Sequence, residues 1–117
     1  MLKNNSTNQK IIEQTRIASS FFSKFKGLML ESKHDFALIF VLEKESIIGA
    51  SIHMLFVFKP IDIVYLNEKK QIIELAQNIQ PWILNFSPKK PAKYFIELPK
   101  GLIKKNSLKL GQEIDWN

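Results

Sequence analysis

Five side chains stand where recognition or catalysis could use them: His53, Asp62, Trp82, Glu97 and Lys100. His53 lies in Ile52-His53-Met54-Leu55-Phe56-Val57-Phe58, which is apolar on both faces if extended. An imidazole there is either a pocket-wall acid, base or ligand near neutral pH, or a buried neutral ring bonded to a carbonyl. Asp62 alternates with Val64 and Leu66, while Ile61, Ile63 and Tyr65 face the other way. A carboxylate among apolar partners needs hydrogen bonds or a cation. It is therefore either a pocket carboxylate or an acceptor for backbone N–H groups of the turn after Pro60. Glu97 and Lys100 flank Pro99, and Lys93 on the Glu97 face suggests partial exposure. The pair offers ligand contacts at a strand end, or a surface carboxylate with a nearby lysine. Trp82 follows Pro81 in a long connection and either stacks on a sugar or base or seals one end of the core.

Catalytic templates fail against the same residues. With no cysteine, thiol chemistry, disulfides and thiolate zinc sites are excluded. His34 and His53 are too far apart to form a local metal-ligand pair, so no metal and no cofactor is expected. No phosphate-binding glycine loop or nucleophile elbow is present. A hydrolase remains conceivable with His53 and Asp62 as an acid–base pair, or with Asp62 paired to Glu97 or Glu74, but the balance leans away from an enzyme.

The chain has 117 residues, enough for one domain at roughly 150 residues per domain. Its charge is 17 − 11 = +6. Sixteen of the 17 basic residues are lysine, and Arg16 is the sole arginine. Arginine is the usual reader of phosphates and base edges, so a solvated lysine surface is favoured over a nucleic-acid face. No apolar run approaches the roughly 18 residues of a membrane span. No secretory leader is visible, so a cytoplasmic location is expected, with no membrane partner.

The elements that must position these side chains are mostly short strands. Residues 1–9 read as a frayed polar terminus, ahead of a β-rich domain over 10–117. Strands are expected over Lys10–Ala18, Ala37–Leu42, Ile47–Phe58, Ile61–Leu66, Gln71–Ala76 and Ala92–Leu98, with a last one inside Leu108–Trp116. Ser19 or Ser20 caps a short helix that carries Phe21 and Phe25 and stops at Gly27. A helical turn follows Pro99 and Gly101. The fold class is mainly β, a sandwich or barrel with one or two short helices.

Gly27-Leu28-Met29, Ile52-His53-Met54 through Pro60-Ile61-Asp62-Ile63, Pro81-Trp82, Glu97-Leu98-Pro99-Lys100-Gly101 and Gly111 occur in the order of a known set of landmarks. Together they resemble the domain-of-unknown-function 192 family, over about Ile11 to Trp116, in its leaderless archaeal type. The resemblance implies a compact β domain and supplies no reaction. It makes Gly27, Met29, Met54, Pro60, Gly101 and Gly111 structural positions. His53 stands where the family has tryptophan. Leu55, Phe56 and Val57 replace its Lys–Asn–Thr, and Gln112 replaces an aspartate. Three polar positions of the central block have thus become apolar, so a polar pocket in relatives would be greasier, or filled, here. The leading expectation is a small-ligand-binding or accessory domain for a small metabolite or carbohydrate, using His53, Asp62, Trp82, Glu97 and Lys100. A protein- or RNA-interaction module using Lys69, Lys70, Lys89, Lys90 and Lys93 comes second, and a small hydrolase third.

Overall fold

The structure is a computed structural model that describes residues 1–18, 36–46, 60–80 and 87–117. Its elements are β1 (Leu2–Asn4), β2 (Gln9–Ile12), β3 (Thr15–Ala18), β4 (Ala37–Ser46), β5 (Ile61–Leu66), β6 (Ile72–Ile79), β7 (Ala92–Pro99), α1 (Leu102–Lys105) and β8 (Ile114–Trp116). They form a five-stranded sheet of order β3-β4-β7-β5-β6 and a three-stranded sheet of order β2-β1-β8. All the pairings are antiparallel except β3 with β4. The mainly β expectation is met.

Two cores lie on opposite faces of the large sheet. One holds Ala37, Ile39, Val64, Leu66, Ile96 and Leu98 against Leu2, Ile11 and Ile114 of the small sheet and Ile103 of α1. The other holds Leu38, Phe40, Ile61, Ile63, Tyr65 and Phe95. Burial on both faces explains why β5 has no exposed residue and why its sequence does not alternate cleanly between apolar and polar.

The frayed terminus is corrected. Leu2 is 1% exposed, and β1 is the middle strand of the small sheet. The polar run that reads as a tail is the tight turn of the β1–β2 hairpin, where Asn8 has φ 57°. Asn4 organises it: its Oδ1 accepts the N–H groups of Ser6 and Thr7, and its Nδ2 donates to Gln112 Oε1. The expected strand over Lys10–Ala18 is two strands, β2 and β3, which enter different sheets around Glu13-Gln14.

The turn between β5 and β6 is built on Asn67, whose Oδ1 accepts from Lys69 N and Gln71 N. The stretch after α1 is stitched to it, with Ile72 N donating to Gln112 O and Gly111 N to Ile72 O. Gly101 begins the turn into α1 at φ 92°, with open space where a Cβ would stand. Gly101→Ala should therefore cost only the backbone preference, about 1 kcal/mol in a urea melt. A neutral result would show that the turn relaxes.

Candidate functional site

Strand alternation sorts the expected site residues before any distance is needed. Glu97 pairs with Leu38 on one side and Ile63 on the other, so it shares their face. Asp62 pairs with Leu98 and lies on the opposite face. These two carboxyl groups therefore cannot meet across one substrate, and the Asp62–Glu97 version of the hydrolase is closed. Lys100 is exposed in the turn beyond β7 and does not join Glu97 in the sheet. His53 and Trp82 lie outside the described residues, as do Gly27, Met29, Met54, the 19–26 helix and the 47–58 strand.

Asp62 is 1% exposed. Its Oδ1 accepts Asn78 N at 2.9 Å, and its Oδ2 accepts Gly101 N and Ile103 N at 3.0 Å each. Three backbone donors satisfy the carboxylate, and they come from the end of β6 and the entry to α1 rather than from the turn after Pro60. That arrangement ties β5, β6 and α1 together.

Glu97 differs from the surface carboxylate that its neighbours suggest. It is 1% exposed, and its Oε2 has no hydrogen-bond partner. Burial pushes its carboxyl well above the ordinary value, so the neutral acid is favoured. The misleading signal was Lys93, which is half-buried and donates its ammonium to the Leu42 carbonyl rather than to solvent.

On the same face lies Tyr65, which neither residue type nor spacing singles out. It is fully buried and its hydroxyl also lacks a partner. Burial, followed by the neighbouring Glu74 and Glu97, pushes its phenol far above the ordinary value. The row Phe40–Phe95–Tyr65–Glu74 crosses β4, β7, β5 and β6 in register. The Phe40 and Phe95 rings are 4.3 Å apart, and those of Phe95 and Tyr65 6.2 Å. Glu74 Oε1 accepts Lys89 N at 2.8 Å. The only available clue to this cluster in the sequence was the parity of Tyr65, Ile63 and Ile61.

Several other polar groups bond to one another. Lys70 reaches Asp115 at 2.9 Å and lies 4.2 Å over the Trp116 ring. Its hydrogen bond holds the Asp115 carboxyl below the usual value. A shallow cleft of about 240 Å³ runs beside them, lined by Met1, Lys3, Asn5, Asp115, Trp116 and Asn117. There Asn5 Nδ2 donates to Glu113, and Asn117 Oδ1 accepts from Met1. Of the lysines expected to form an interaction face, Lys70 and Lys93 are thus engaged within the protein. Among the described residues, no three His, Asp or Glu side chains converge as metal ligands, and no helix is long and apolar enough to cross a membrane.

Comparison with known proteins agrees with the fold and the landmarks. The sequence model of the domain-of-unknown-function 192 family, described as Uncharacterized ACR, matches residues 2–116. The chain belongs to this family. A UPF0127 protein of Thermococcus sibiricus is 38% identical over 116 residues, covering 99% of this chain and 74% of the relative. A UPF0127 protein of Pyrococcus furiosus is 40% identical over 104 residues, covering 89% and 87%. A crystal structure of a protein of unknown function from Novosphingobium aromaticivorans superposes with a TM-score of 0.78 at 21% identity, covering 87% of this chain and 74% of that one. One from Sinorhizobium meliloti, described provisionally as a transcription regulator, has a TM-score of 0.81 at 17% identity, covering 97% and 88%. At such identities these two structures speak for the fold alone. The family match begins at Leu2, in keeping with β1 as an integral strand.

Proposed function

We propose that this member of the domain-of-unknown-function 192 family is a small-molecule-binding domain that recognises its ligand on the Glu97–Tyr65 face of the large sheet. One observation carries the reading: two wholly buried side chains on one face each keep a polar atom without a partner. Such atoms cost about 1–3 kcal/mol apiece when left unmade, so a fold that retains two side by side has a use for them. The rings of Phe40, Phe95 and Tyr65 supply the apolar wall, and Glu97 and Tyr65 the polar contacts. Asp62, with three donors already, acts as a clasp and not as a ligand contact.

The test is a heteronuclear NMR titration of the full chain against sugars, amines, alcohols and carboxylic acids. Binding should move the signals of Glu97, Tyr65 and Phe95 together. Silence of these signals across the panel would mean that trapped water alone satisfies the two groups, and the reading would fail.

A further inference from the structure

Resting on that reading, we infer that the ligand is an organic ammonium: a primary amine on an apolar body, held by the Glu97 carboxylate over the aromatic row. The face carries two carboxyl groups, Glu97 and Glu74, with the Tyr65 hydroxyl in the same set. Two cations among the described residues near it are already engaged. The Arg16 guanidinium lies 3.9 Å over the Phe36 ring, and the Lys93 ammonium is bonded to the Leu42 carbonyl. An anionic ligand would meet two carboxyl groups, while Arg16 and Lys93 are each committed elsewhere. A neutral ligand could accept a hydrogen bond from the Glu97 carboxyl but would gain nothing from the charge of Glu74. An ammonium gains from both, and from the faces of neighbouring rings. Its charge-assisted bond to Glu97 is also the stronger kind of hydrogen bond.

Proton balance makes the inference measurable. Without a cation the buried Glu97 holds its proton. An arriving ammonium stabilises the carboxylate, and the carboxyl proton passes to the buffer, one per ligand bound. A neutral alcohol on the same body would release none.

Benzylammonium, benzyl alcohol and benzoate share one body and differ in the head group. Each should be titrated calorimetrically into the full chain at about pH 6, in two buffers of different ionisation heat. The expected result is about tenfold tighter binding of benzylammonium than of the other two, with close to one proton released. Its binding should move the Glu97 carboxyl carbon signal to the ionised position in the unmutated protein. Glu97→Gln should weaken the amine at least about tenfold and abolish proton release. If the carbon signal does not move, or no proton is released, the inference is overturned, whether or not the variant folds. Tighter binding of the alcohol or of benzoate would overturn the ammonium and leave the binding face standing. Failure of all three probes overturns the ammonium, and the broader panel then decides whether the binding face survives.

Discussion

Asp62→Ala should lose about 3–5 kcal/mol of folding stability, from roughly 1–3 kcal/mol for each donor left unpaired. The substitution strips the acceptor from Asn78 N, Gly101 N and Ile103 N at once. A typical domain has only about 5–15 kcal/mol to lose, so the midpoint of a urea or thermal melt should fall steeply. Asp62→Asn should fall in between, at about 2 kcal/mol, because an amide has one oxygen and presents N–H groups to the remaining donors. The two variants separate roles that a single one would merge. A clasp responds to the number of acceptor oxygens, whereas a ligand contact would leave stability nearly untouched. An Asp62→Ala protein within about 1 kcal/mol of the parent would remove the clasp from the account.

Glu97 should make the protein less stable as pH rises, and Glu97→Gln should remove that slope. Its folded value lies above its unfolded one, which is near the ordinary 4.5. Below the unfolded value the carboxyl is neutral in both states and imposes no penalty. Above it the unfolded chain ionises while the folded chain holds the proton, so folding must keep or take up a proton. Stability is therefore lost from the unfolded value up to the folded one, and the loss then levels off. The slope in that window approaches the one-proton limit of about 1.4 kcal/mol per pH unit. Other carboxylates contribute their own dependence, so the quantity to measure is the stability of the variant minus that of the parent. It should grow with pH. A difference that stays flat from pH 4 to pH 8 would mean that Glu97 is solvated or paired in solution.

The β5–β6 hairpin shows how much local pattern can settle. Ile61–Leu66 has the residue types of a buried strand, and Asn67-Glu68-Lys69-Lys70 the chemistry of a turn, so both emerge from the sequence at their observed places. Asp62 was legible as a carboxylate needing donors, because its parity puts it among apolar residues. Its donors were not, since Asn78, Gly101 and Ile103 lie 16 to 41 positions away. Two misreadings have the same origin. The turn of the β1–β2 hairpin resembled a tail because only Leu2, a single apolar residue, marked the strand before it. Glu97 resembled a surface residue because Lys93 shares its face, and a lysine stem can lie buried while its ammonium finds a carbonyl.

The sequence by itself determined the family, the mainly β class, the strand parities and the absence of thiol chemistry. All of these depend on residue types and on neighbours a few positions apart. Only the tertiary structure decided that β1 is an interior strand, that Asp62 and Glu97 face opposite ways, and that Glu97 and Tyr65 share one apolar face with a polar atom to spare. The ionisation of a carboxyl depends on what surrounds it in space. For Glu97 the surroundings are Leu38 and Ile63, brought beside it from distant strands by the register of the sheet.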